Sequence, residues 1–222
     1  MALVSTLDAI DYSGDVISEK VEQAEWLAPR AMTHDSLVTW ASDRGAVVPF
    51  PMWVMFGNDA AVLSMLSRKS SDLRESIDSI SGAREFCVRV SADQSALAAA
   101  AEQMDPALAV ISQQALAAPP GQAYLLRRKL AEARKTATRD AAGRIAERAH
   151  AALSDAAWSG VARATTVSSE PGILLDAAYL VADEKYEQFR TALTRLMETF
   201  QPAGLRFDFT GPWPPYHFVH GD

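Results

Sequence analysis

The chain has 222 residues, 49% hydrophobic and 22% charged, with a net charge of −7. That is enough for one large or two small domains that bury roughly 70% of their unfolded surface. The acidic balance excludes nucleic acid or an anionic membrane as the main partner, and a single cysteine, Cys87, excludes an internal disulfide or a multi-cysteine metal site and fits a reducing compartment.

Residues 1–15 have neither the cationic start nor the apolar core of a signal segment, and no run approaches the about 18 apolar residues of a membrane-spanning helix. Ala2–Ile10 is predicted as a short strand, closed by the turn signal Asp11-Tyr12-Ser13-Gly14. Residues 15–32 read as a polar-to-helical connection. Thr33 or Asp35 is placed to cap a helix over 36–42, ended by Arg44-Gly45. The run Ala46–Phe56 is almost wholly apolar, but Pro49 and Pro51 forbid a regular central strand there. The expectation is two strand pieces, 46–48 and 53–56, with a kink between them. Asn58 or Asp59 caps a helix reaching Ile80, with Val62, Leu63, Leu66, Leu73, Ile77 and Ile80 on its apolar face.

Arg84–Val90 alternates as a half-buried strand, with Phe86, Val88 and Val90 on one side and Glu85, Cys87 and Arg89 on the other. A short alanine-rich helix follows, over 91–104, capped by Ser91 or Asp93. Residues 105–120 read as a variable, partly disordered insertion. Tyr124 to about Trp158 is the longest helix. Strands are expected over 161–167 and 173–182, joined by a turn at 168–172. A helix over 185–200 precedes a last strand over 205–210. From Arg84 the order is strand, helix, strand, strand, helix, strand, which is that of a ferredoxin-like βαββαβ domain. The expected fold class is therefore α+β: a small N-terminal α+β domain over 1–82, then a modified ferredoxin-like domain over 83–222. The second domain carries the insertion 91–120 and a proline- and aromatic-rich C-terminal clasp, 211–222.

Recognisable chemistry is sparse. His34, His150, His217 and His220 form no metal-ligand spacing. No nucleophile elbow, phosphate loop or dinucleotide motif occurs. His34 reads as a capping or surface residue and Cys87 as a packing residue. No cofactor, metal or catalytic residue is expected. Charge is uneven, however: residues 121–150 hold eight Lys/Arg against three acids, and residues 1–60 hold nine acids against three bases. A solvated helix face accounts for this, and so does docking, either self-association or capture of an acidic partner.

The tail Gly211-Pro212-Trp213-Pro214-Pro215-Tyr216-His217-Phe218-Val219 is stiff and apolar where most tails fray. It resembles the end of gas vesicle proteins of the F/L family. Val48, Pro49 and Phe56 match a second run of that family, whereas Pro51, Met52 and Trp53 depart from its commoner Arg-Phe-Gly. The strand around Phe86, the Gly-x-x-Tyr-Leu at 121–125 and Ala177–Val181 also resemble family motifs. The resemblance implies a non-catalytic accessory protein, located at gas vesicles or in the cytoplasm. Such a protein binds the hydrophobic shell protein, and other accessory proteins, and assists assembly or nucleation or lines the shell. It also implies one more strand before the point where this chain begins. The candidate protein-binding residues are Phe50, Met52 and Trp53 in the apolar run, Arg127, Arg128, Lys135 and Arg139 on the long helix, and Trp213, Tyr216 and Phe218 in the tail. The alternative reading is a ferredoxin-like sensory domain that binds a small ligand.

Overall fold

The computed structural model describes residues 1–163 and 172–219, which form two compact units, Met1–Ser81 and Gly82–Val219. In the first unit, α1 (Gly14–Lys20) is capped by Ser13, whose hydroxyl accepts from the Val16 N–H. The second helix, α2 (Ala24–Ser42), absorbs the segment 24–32 that the sequence reading left as a connection. Pro29 argues against a helix interior, because it removes a backbone donor and crowds the preceding turn. The turn is helical nonetheless, and contacts around Arg30 support it. The Arg30 guanidinium lies 4.1 Å from the Trp26 ring centre and 5.3 Å from that of Tyr12, and its Nη1 donates to the Trp26 carbonyl at 2.8 Å. His34 therefore sits inside a helix and not at its start.

Among the described residues, no strand forms in 1–81, and this corrects the expectation of a mixed first unit. Residues 2–8 and 46–50 are irregular, and residues 53–56 give only a turn and unpaired chain. A strand needs a partner edge, and the prolines at 49 and 51 lack the donors to recruit one. The helix expected from 59 to 80 is two, α3 (Asp59–Arg68) and α4 (Ser70–Ile80), divided at Lys69. Ser70 and Ser71 follow the break, and short hydroxyl side chains compete for backbone groups at such points. Asn58 is the cap, with Oδ1 accepting from Ala61 N at 2.9 Å. The buried face also differs from the periodic one: Met65 and Ile80 are buried, while Leu63 is 67% exposed.

The second unit is built on a four-stranded antiparallel sheet: β1 (Ala83–Ala92), β2 (Ser159–Ala162), β3 (Ile173–Ala182) and β4 (Leu205–Trp213), in the order β2-β3-β1-β4. The topology is compatible with the ferredoxin-like order. Residues 164–171, where the rest of the second strand and most of the following turn were expected, lie outside the described residues. Phe86, Val88 and Val90 of β1 face a core shared with Tyr179, Phe207 and Phe209 of the neighbouring strands. Leu97 of α5 (Gln94–Met104), Leu153 of α7 (Pro120–Ser154) and Phe189 of α8 (Tyr186–Phe200) close it. The rings of Phe86 and Phe209 stack at 5.3 Å, and those of Tyr179 and Phe189 meet at 5.4 Å.

Asp93, not Ser91, caps α5 by accepting from the N–H groups of Ser95 and Ala96. Its bond with the Ser95 hydroxyl and those two backbone bonds hold its carboxyl below the usual range. The segment read as partly disordered is ordered as α6 (Pro106–Ala117), with proline at its first turn, Asp105 as cap, and Leu108 and Ala115 buried. Both α5 and α6 pack on α7, whose 35 residues reach about 50 Å. Alanines 123, 141 and 149 are buried on that helix, so its neighbours approach its backbone closely.

Replacing the fully buried Phe189 by alanine removes the ring that joins α8 to the sheet. The unfolding free energy of the second unit is expected to fall by about 3–5 kcal/mol, read as a lower denaturant midpoint in near-ultraviolet circular dichroism.

Candidate functional site

The C-terminal clasp closes on its own unit, and a carboxylate holds it. Glu85 is 1% exposed, although alternation along β1 had placed it on the polar side. Its Oε2 accepts from the His217 backbone N–H at 2.9 Å, and its Oε1 lies 2.6 Å from His217 Nδ1. Burying a carboxylate is costly unless its oxygens are satisfied, and the tail supplies those partners. Pro214, Pro215 and Val219 are buried around it. Turns within the tail, Tyr216 N–H to the Pro214 carbonyl and Phe218 N–H to the Pro215 carbonyl, set its path. The register of β1 against β4 shifts between Glu85 and Cys87, and Gly211 sits at this shift with φ +121°. A Cβ at Gly211 would stand 2.9 Å from the Glu85 carbonyl oxygen, so glycine is required there for space as well as for φ.

Glu85 is the residue that sequence reasoning missed. A single glutamate on the polar side of an alternating strand carries no local sign that a segment 132 residues later will cover it. The same geometry accounts for Cys87. Burial first, and then the adjacent Glu85 carboxylate, push its thiol up. Farther along this face Asp176 pairs with Arg163 and, at 3.3 Å, with Arg89. On the core side, the Tyr179 hydroxyl lies 2.9 Å from His150 Nδ1, which ties α7 to β3, and burial raises the Tyr179 phenol.

The candidate binding residues fall into three groups. Phe50, Met52 and Trp53 are half-buried in the first unit, where Trp53 stacks on Trp26 at 5.6 Å. Arg127, Arg128, Lys135 and Arg139 are all exposed on α7. At about 100° per residue, Arg128, Lys135 and Arg139 fall within about 40° of one another, opposite the buried Ala123, Leu130 and Ala141. Arg127 is set off by a further step. In the tail, Trp213 is 42% and Tyr216 37% exposed, and Phe218 is half-buried. Thus the tail divides its work: Pro214, Pro215 and Val219 are buried and His217 meets Glu85, while Pro212, Trp213 and Tyr216 are exposed.

Among the described residues no cluster of three or more His, Cys, Asp or Glu could hold a metal ion, and no helix is long and apolar enough to cross a membrane. His220 lies outside the described residues.

An antiparallel sheet backed by helices, with two shorter helices packed along a long basic one and a clasp pinned by a buried carboxylate, defines an α+β protein whose distinctive features are surfaces. The family model of the gas vesicle synthesis protein GvpL/GvpF matches residues 1–220, and the chain belongs to that family. The chain is 27% identical to gas vesicle protein L of Streptomyces sp. (strain CB03234), over 99% of this chain and 79% of that protein. It is also 27% identical to gas vesicle protein L of Haloferax mediterranei, over 89% of this chain but 63% of the relative, so it spans under two thirds of that protein. The crystal structure of GvpF from Anabaena sp. PCC7120 superposes with a TM-score of 0.70 at 17% identity, covering 86% of this chain and 77% of that one. GvpF from Microcystis aeruginosa gives 0.61 at 15% identity. Family membership gives the chain an accessory role at gas vesicles.

Two outcomes follow from the clasp. Glu85→Ala leaves the His217 N–H and ring without their acceptor. It is expected to cost about 1–3 kcal/mol and to open residues 214–219 to carboxypeptidase digestion, which the parent chain resists. A raised thiol pKa means less thiolate at any given pH. Cys87 is therefore expected to react with a disulfide reagent at pH 8 more slowly than free cysteine, with its rate still rising above the ordinary thiol range.

Proposed function

We propose that this protein is a non-catalytic assembly factor of gas vesicles that covers the hydrophobic shell protein before and during polymerisation. The observation that carries the reading is the family match across residues 1–220. The chemistry of the candidate surfaces supports it. A shell subunit exposes apolar surface until it is assembled, and a binder that masks it reversibly combines apolar contact residues with a charged rim. Trp213 and Tyr216 supply exposed aromatic surface on a segment fixed by Glu85. The half-buried Phe50, Met52 and Trp53 supply a second apolar group, and Arg128, Lys135 and Arg139, flanked by Arg127, an exposed basic face on α7. Work of this kind breaks no bond and needs no cofactor. The place of action is the growing vesicle and the solution from which it draws subunits.

Co-expression with the shell subunit tests the reading. The soluble fraction of the subunit is expected to rise, and the two proteins to co-purify. Reversing the α7 face with Arg128→Glu, Lys135→Glu and Arg139→Glu together, or removing aromatic surface with Trp213→Ala and Tyr216→Ala, is expected to lower the amount recovered. Equal aggregation of the subunit with and without this protein would refute the assembly role.

A further inference from the structure

The outer edge of β4 has a feature that the accessory role does not use. Among the described residues, β1 is its only strand neighbour. The direction of its main-chain groups follows from two hydrogen bonds at opposite ends of β1. Ala92 N–H donates to the Gly172 carbonyl on the β3 side, and the Gly82 carbonyl accepts from Asp183 N–H on that same side. Paired residues of an antiparallel ladder alternate between those that exchange hydrogen bonds and those that do not. Even-numbered residues of β1 therefore turn their N–H and C=O groups to β3, and Cys87, Arg89 and Ser91 turn theirs to β4. Their partners there are Thr210, Asp208 and Arg206. Leu205, Phe207 and Phe209 consequently direct their N–H and C=O groups away from the sheet.

That outward edge reads Leu205-Arg206-Phe207-Asp208-Phe209, and it is complementary to itself. When a second copy is laid antiparallel with Phe207 opposite Phe207, each Arg206 meets an Asp208 and each Leu205 meets a Phe209. The hydrogen-bonding pairs are then those of residues 205, 207 and 209. The two Arg–Asp pairs fall at the non-hydrogen-bonded positions, where Cα atoms come within about 4.5 Å and side chains are closest. Sliding the second strand by two residues either way brings Arg206 against Arg206 or Asp208 against Asp208, so the charges select one register. Charges that guard an edge strand ordinarily repel its copy; opposite signs two residues apart do the reverse. Arg206 and Asp208 are both exposed, and Phe207 and Phe209 are half-buried, with ring surface left to cover.

We propose that β4 is a self-association edge: two copies pair β4 to β4 about a two-fold axis through Phe207, which joins two four-stranded sheets into one of eight strands. Five residues from each copy make a contact smaller than the about 1,200 Å² of a standard stable interface. The dimer is therefore weak and concentration-dependent.

Sedimentation velocity of the full chain at rising concentration tests this, with circular dichroism as the check on folding. The parent chain is expected to pass from monomer to dimer. Arg206→Asp places Asp against Asp twice, and Asp208→Arg places Arg against Arg twice, so each variant alone is expected to associate about tenfold more weakly or worse. An equimolar mixture of the two variants restores both opposite-charge pairs and is expected to dimerise like the parent, as is the double variant. A misfolded variant could not produce that rescue. A parent chain that stays monomeric throughout, single variants that associate as well as the parent, or a mixture that fails to associate would each overturn the proposal.

Discussion

The second unit depends on β1 being hydrogen-bonded along both edges. A strand with neighbours on either side has no open edge, so its side chains decide what must cover its two faces. On one face Phe86, Val88 and Val90 demand an apolar cover, which the helices supply with Leu97, Leu153 and Phe189. On the other face Glu85 demands hydrogen-bond donors once it is shut from water, and the tail supplies them from His217. The helical layer and the clasp are thus responses to two successive residues of one strand.

A buried carboxylate is a poor source of stability compared with apolar packing, because its desolvation offsets much of what its partners return. It does fix position. A tail held only by proline and valine contacts could slide, since apolar contacts are non-directional. Two directed contacts to one carboxylate set its register. That register turns Pro214 and Val219 inward and leaves Trp213 and Tyr216 toward solvent. The exposed aromatics therefore stand on a rigid segment, which lowers the entropy a partner would have to overcome.

Much of the second unit was legible from residue pattern. The alternation of 84–90, the β-branched and apolar runs at 173–182, and the amphipathic spacing of 185–200 each carry a strong local period, and each appears as expected. Local signals failed where tertiary context outweighed them. The first half of α2, with Pro29 in it, read only as part of a polar-to-helical connection, and Arg30 stacked on Trp26 and bonded to its carbonyl supports the helix there. The alanine- and glutamine-rich stretch at 105–120 looked too weak to order itself. It is ordered by packing on α7, through small side chains that permit close approach. Leu63 and Ile77 satisfied helical periodicity yet stand exposed, since the break at Lys69 divides the face they were assigned to. The candidate binding residues were legible only as types: the basic run of α7 showed in the charge count, whereas which tail aromatics would point outward did not.

By itself, the sequence determined the fold class, the succession of strands and helices along the second half, the stiffness of the tail and the resemblance that led to its family, because these reside in periodicity, proline placement and short motifs. Only the tertiary structure decided that Glu85 is buried, that His217 is its partner and that Leu205, Phe207 and Phe209 turn their backbones outward. The reason is physical: burial, pairing and edge direction are relations between segments far apart in the chain, and no window of neighbouring residues contains both halves of such a relation.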